Sequence, residues 1–170
     1  VFMMGQPGSP DPTPLAKALD AFAAANKGLA PIAIVVDQLT APDLDPTCVD
    51  SAKYGAVATY INQLVPQWAE QNLNIITDRH YWTIGGFSNG GSCAAMYGSR
   101  YPDTWRQLLD VMGNEFPGSE HVAQTVADVY NGDAAAFQAG KPSVIMGAAP
   151  AGTYAGHTAI FTWGSADTTY

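Results

Sequence analysis

Short apolar runs alternate along this chain with stretches of helical spacing, and the alternation predicts strands and helices in turn. Val1-Phe2-Met3-Met4 is a strand-like run that breaks into Gly5-Gln6-Pro7-Gly8-Ser9-Pro10. Thr13-Pro14 suits the N-cap and first position of an Ala-rich helix that runs to about Asn26 and ends at Gly28. Pro31 to Val36, PIAIVV, is continuously apolar with β-branched residues, as a strand covered on both faces would be. Asp37 to Asp50, punctuated by Pro and Asp, reads as a loop. Val57, Tyr60, Ile61, Leu64, Val65 and Trp68 then recur at helical spacing between about Ala52 and Asn72, with Pro66 placed to bend or restart that helix.

The second half continues the alternation. Tyr81 to Ile84 is aromatic and β-branched, Ser92 to Tyr97 is small and helix-compatible, and Tyr101-Pro102-Asp103 punctuates the chain before a strand at Gln107 to Met112. Val122 to Tyr130 predicts a short helix ending before Asn131-Gly132, and His157 to Trp163 a last strand followed by Gly164-Ser165-Ala166-Asp167. Between them, Asp133 to Gly156 is rich in Ala, Gly and Pro and declares no element. Strands separated by helical stretches imply βαβ units, hence an α/β domain with a mostly parallel sheet and helices on both faces.

Composition narrows the function classes. At 170 residues, 47% hydrophobic and 13% charged, the chain reads as one globular domain over 1–170. A net charge of -8 with no basic cluster argues against nucleic acid as a partner. The apolar runs are too short to cross a bilayer, which leaves contact with a membrane surface open. Neither nucleotide-cradling glycine motif occurs, nor H-E-x-x-H or a close His pair, so neither a cofactor nor a metal is expected. Asp43, Asp45, Glu115 and Glu120 read as surface acids, and Tyr81, Trp82, Trp105 and Trp163 as packing.

The chemistry concentrates at Gly86-Phe87-Ser88-Asn89-Gly90, a G-x-S-x-G pattern with a strand before it and a helix after it. A serine on so sharp a turn has a strained backbone, and Gly86 and Gly90 remove side chains that would collide across it. The hydroxyl then projects at the carboxyl edge of the sheet. The helix starting there turns unpaired N–H groups toward a developing oxyanion, with the N–H of Asn89 the first donor.

Cys48 and Cys93 are too far apart in sequence for a metal knuckle. Two readings stand: a free buried pair, as in an intracellular protein, or a disulfide, since both residues are expected near the same sheet edge. The second is preferred and implies an exported, secreted or cell-surface domain.

An opening strand with Gly5-Gln6, IAIVVDQ, the Pro66-interrupted helix, DRHYWTIGGFSNGG, SRYPDTW and IFTWGSAD follow one another along nearly all of the chain. In that order they resemble the serine esterases of the α/β-hydrolase fold, in particular the group that includes feruloyl esterases, S-formylglutathione hydrolases and mycobacterial mycolyltransferases. The elbow is the specific part of the resemblance. It implies Ser88 as nucleophile, Asp167 in its Gly-x-x-Asp turn as the acid, and Gln6 as second oxyanion donor, since Pro7 has no N–H to give. The implied activity is hydrolysis of a small-molecule, lipid or sugar ester through an acyl-enzyme. Transfer of the acyl group to a sugar or lipid hydroxyl, as in mycolyltransferases, and a non-catalytic hydrolase-like binding domain are the alternatives.

In this fold the order is serine, acid, histidine, and only three residues follow Asp167, none of them histidine. His80 precedes the elbow strand, His121 opens a helix after the next one, and His157 begins the strand leading to Asp167, so topology assigns none of them as base. The expectation is therefore a portion of a longer protein, lacking strands before Val1 and the catalytic histidine after Tyr170.

Overall fold

Residues 1–166 are described by the computed structural model, and five parallel strands form its central sheet. In chain order the elements begin with β1 (Phe2–Met3), α1 (Thr13–Ala25) and β2 (Val35–Val36). Next come β3 (Asp50–Ser51) and β4 (Gly55–Ala56), which pair antiparallel as a separate hairpin. A nearly continuous helix follows as α2 (Val57–Thr59), a π turn (Tyr60–Leu64) and α3 (Val65–Asn72). After it come β5 (Thr83–Phe87), α4 (Asn89–Arg100) and β6 (Gln107–Val111), then α5 (Val122–Asp128), α6 (Ala134–Ala139), α7 (Pro142–Ala148) and β7 (Thr158–Thr162).

The sheet order is β2-β1-β5-β6-β7, so the elbow strand is central. Phe2 sits opposite Val35 on one side and Gly85 on the other, and Gly86 opposite Asp110. Carboxyl ends of parallel strands share an edge, which brings Gly5, Asp37, Ser88 and Met112 to one end of the sheet. Met3, Val36, Ile61, Val65, Ile84, Met96, Tyr97 and Trp105 make up much of the core beneath them. Burial of such side chains contributes about 1.5–3 kcal/mol each before the entropy of ordering them is subtracted.

Pro66 interrupts its helix by a specific route. Lacking an N–H, it cannot bond the carbonyl four residues back, and the preceding turn widens so that the Val65 N–H reaches Tyr60, five residues back. Asn62, inside that turn, is buried and accepts a 2.7 Å bond from the Trp105 indole N–H while donating to the Ala58 carbonyl. The widened turn is thereby locked to the loop that feeds β6.

The structure differs from the sequence expectation at several elements. Only Val35–Val36 of PIAIVV pairs, and Ile32 is 58% exposed, so this is no strand covered on both faces. The elbow strand begins at Thr83, Tyr81 falling in a 3-10 turn (Arg79–Tyr81), and its helix runs from Asn89 to Arg100. Residues 50–56 form a hairpin where the helix was expected to start, because Gly55, at φ 82°, turns the chain there. The unreadable stretch holds α6, capped by the Asp133 carboxylate on the Ala136 N–H, and α7, opened by Pro142.

Candidate functional site

Ser88 stands between β5 and α4 with φ 53° and ψ -120°, a combination that residues bearing a Cβ rarely adopt. Three close approaches hold it there. A Cβ on Gly86 would lie 2.2 Å from the backbone of Gly90, and one on Gly90 would lie 2.4 Å from the Met3 carbonyl oxygen. Glycine is therefore required at both positions so that the helix start can press onto β5 and β1. Gly5 packs from the other side, where a Cβ would stand 3.2 Å from that of Ser88.

The first N–H groups of α4 are divided among specific acceptors. Gly91 and Ser92 donate to the Ser88 carbonyl at 2.8 and 3.1 Å, and Gly90 donates to the Met4 carbonyl at 3.2 Å. The Asn89 N–H has no acceptor among the described residues, and neither has the N–H of Gln6. No acidic residue occupies the first turn of α4, so the positive end of its dipole is not offset from within the helix. Two free N–H groups beside a half-buried serine at a helix N-terminus can stabilise negative charge on an oxygen placed between them.

Three contacts anchor the elbow to β6 and the turn after it. The Ser88 N–H extends the ladder to the Val111 carbonyl at 2.9 Å. Asp110 is buried against Gly91, where a Cβ would meet its Oδ1 at 2.3 Å, and that oxygen accepts from the Gly113 N–H at 2.8 Å. Burial pushes the Asp110 carboxyl above the usual carboxylate range, and the Gly113 hydrogen bond opposes that shift. Ser92 completes the join by accepting from the Asn114 N–H. Sequence reading passed over Asp110, which resembles any polar residue near the end of a strand.

Cys48 and Cys93 are joined in a disulfide with Cα atoms 5.5 Å apart. It fastens the loop after β2 to the buried face of α4, one turn beyond Asn89. Gln38 approaches the same face and is almost wholly buried. Sequence reading missed Gln38 as well; its one signal was a polar residue just past a β-branched run.

The three histidines separate by sheet end. His80 lies in the turn before β5, exposed and bonded to Asp78 at 2.8 Å, and His157 lies just before β7 with its Nε2 2.9 Å from the Pro102 carbonyl. Both are therefore at the amino end, away from Ser88. His121, which topology did not favour, lines a polar cavity of about 530 Å³ together with Gln6, Tyr54 and Gln124. Asp167 lies outside the described residues. Trp82 and Trp105 are buried and pack on each other at 6.1 Å, whereas Tyr81 and Trp163 are exposed. Among the described residues, no helix is long and apolar enough to cross a membrane.

No protein-family model matches the chain. An uncharacterized protein of Corynebacterium glutamicum is 36% identical over 174 aligned positions, covering 98% of this chain and 41% of that protein. The chain thus spans well under half the length of this relative. Among solved structures, it is similar to FphF, a fluorophosphonate-binding serine hydrolase of Staphylococcus aureus with substrate bound. The TM-score is 0.63 at 17% identity, over 86% of this chain and 56% of that one. A ferulic acid esterase aligns with a TM-score of 0.47 at 17% identity, over 63% of this chain and 42% of that one. The FphF similarity shows the fold, which is the α/β-hydrolase fold.

Proposed function

We propose that the full-length protein is a serine hydrolase that cleaves carboxylic esters through an acyl-enzyme on Ser88. The observation that carries the reading is the strained backbone of Ser88 between β5 and α4, flanked by the unengaged N–H groups of Asn89 and Gln6. In the reaction the Ser88 oxygen bonds the ester carbonyl carbon as its proton passes to a histidine. The two N–H groups hold the resulting oxyanion, and the carbon–alkoxy bond breaks as the alcohol takes the proton back. Water, activated by the same histidine, then releases the acid. Asp167 is proposed as the carboxylate that orients this histidine.

A second reading keeps the acyl-enzyme and replaces water with a hydroxyl acceptor. It is favoured by the polar cavity that opens at Gln6, where Tyr54, His121 and Gln124 offer hydrogen-bonding groups. The disulfide supports an exported protein, because such bonds persist in oxidising compartments. The similar FphF, a fluorophosphonate-binding serine hydrolase, suggests the probe. Full-length protein treated with a fluorophosphonate should carry one adduct, on Ser88 by mass spectrometry, and should lose hydrolysis of p-nitrophenyl acetate in proportion. An unlabelled protein, or an adduct elsewhere, refutes the reading and leaves a hydrolase-like binding domain. Acyl transfer to added glycerol in preference to water would establish the second reading over the first.

A further inference from the structure

Gln38 is a buried polar side chain that the reaction as written does not use. It follows β2, where the Asp37 carboxylate accepts from the N–H groups of Leu39 and Thr40 at 2.9 and 3.2 Å and closes a tight turn. Thr40 leaves that turn at φ 66°. The effect is to drive Gln38 and Leu39 inward, to 2% and 1% exposure. Burying an amide is unfavourable unless its hydrogen bonds are made. Here its Nε2 donates twice, to the Met4 carbonyl and to the Asn89 Oδ1 at 3.2 Å.

These two acceptors belong to the two halves of the oxyanion site. Met4 lies two residues before Gln6 on the chain leaving β1, and Asn89 supplies the other N–H. The Met4 carbonyl also accepts from the Gly90 N–H, so it is gripped at once by the elbow helix and by Gln38. A single NH₂ group thus spans from the segment that leads from β1 to Gln6 across to the Asn89 side chain, in an interior where such bonds are stronger than in water. One helical turn farther along the same face, Cys93 holds Cys48. The loop between Asp37 and Cys48 is therefore clamped to α4 at both ends, by an amide at Asn89 and a covalent bond at Cys93.

We infer that Gln38 is a positioning residue of the oxyanion site, setting the separation of the Gln6 and Asn89 N–H groups through its paired bonds to Met4 and Asn89. This rests on Ser88 as nucleophile. Donors of this kind act only when they are fixed where the oxyanion forms, and loss of one whole donor costs about 10²–10³ in kcat. Loosening the pair costs less, about 10- to 100-fold, with little change in KM because the charge exists only in the transition state.

The test uses the full-length protein as wild type, Gln38→Glu and Gln38→Met, with active sites counted by fluorophosphonate titration to completion. Gln38→Glu keeps the shape and replaces the donor with an acceptor, and Gln38→Met keeps the bulk and removes polarity. Both should show kcat for p-nitrophenyl acetate about 10- to 100-fold lower per titrated site. KM should stay within about twofold, and affinity for a trifluoromethyl ketone, whose adduct places an oxyanion in the site, should fall by the same factor as kcat. A kcat per titrated site within about twofold of wild type, with only a lower Tm, overturns the inference and leaves Gln38 a packing residue. If the Gln38 variants do not fold, Asn89→Ala decides, since it keeps the backbone N–H and removes the side-chain oxygen that Gln38 bonds. It should lower kcat at unchanged KM, and an unchanged kcat overturns the inference. The Gln38→Met/Asn89→Ala pair should lose less than the product of the single losses, whereas fully multiplicative losses argue against coupling. Failure of the Ser88 reading is distinguishable, because it appears in the wild type, which would then take no label and hydrolyse no ester.

Discussion

Two helices of nearly equal length make opposite use of their sequences. α1, TPLAKALDAFAAA, is built of strong helix formers, yet none of its residues is buried. α4, NGGSCAAMYGSR, has glycines where a helix is weakest by propensity, yet ten of its twelve residues are buried. The first combines helix-favouring residues with a partly buried face at Leu15, Leu19 and Ala23, whereas contact with β1, β5, β6 and the loop after β2 holds the second. The contrast shows that the glycines of α4 are there for close approach. A helix that must bring its N-terminus against a strand and its neighbour cannot also have the residues that favour helix in isolation.

The largest effect expected from breaking this contrast is chemical. Ser88→Ala in the full-length protein should reduce ester hydrolysis by about 10⁴- to 10⁶-fold, measured with p-nitrophenyl acetate. Ser88→Gly should be equally inactive and more resistant to urea by about 1–2 kcal/mol, because glycine accepts φ 53° without strain.

Next comes the tie between α4 and the loop. Replacing Cys48 and Cys93 together by Ala should cost about 4 kcal/mol in urea unfolding for a bridge whose ends are 45 residues apart. Reduction of the wild type should reproduce the loss. Gly86→Ala should follow at about 3 kcal/mol, since its Cβ would meet the Gly90 backbone at 2.2 Å and neither partner is a flexible side chain. The same measurement on Gly28→Ala would separate crowding from conformation, because a Cβ there meets nothing and only φ 83° opposes it.

Asp110 adds a smaller, pH-dependent effect. Its carboxyl is raised in the folded protein by burial, so the folded state holds that proton more tightly than the unfolded chain does. Wild-type stability should therefore fall relative to Asp110→Asn as pH rises from the ordinary carboxylate value through the raised one, and the gap should be constant above it. Parallel urea titrations of both proteins across that window check the sign; a wild type that gains stability relative to Asp110→Asn with rising pH contradicts it. The smallest effect belongs to α1, where Ala18→Gly, on an exposed surface, should cost about 1 kcal/mol or less and leave activity untouched.

Much of the elbow was legible because its constraints are local. Gly86, Ser88 and Gly90 lie within five positions, and a strand before and a helix after are visible as changes of period. The alternation of β5, α4 and β6 could be read for the same reason, and with it the parallel sheet. What stayed hidden was set by partners far along the chain. Gln38 matters through Met4 and Asn89, 34 and 51 residues away, and Asp110 through its packing against Gly91 on the preceding helix. PIAIVV has the composition of a buried strand, but only its last two residues find β1, itself two residues long. Helices α6 and α7 escaped because each is about two turns long, too short for a period to show, and is marked only at its start, by the Asp133 cap and by Pro142.

The π turn at Tyr60–Leu64 bears on how this chain tolerates insertions and deletions. Such a turn is an α-helix with one residue more than its ladder can seat, and the surplus sits just ahead of Pro66. Deleting one residue between positions 60 and 64 would restore a regular ladder, but it would also rotate everything upstream by about 100° relative to α3. The Asn62 carboxamide would then swing away from the Trp105 indole, stranding a buried donor, while Pro66 would again leave a carbonyl without a partner. The extra residue and the proline are thus mutually dependent. Homologous chains that lose one should also have lost the other, and a paired change at position 105 from Trp to a residue without a ring N–H should accompany the loss.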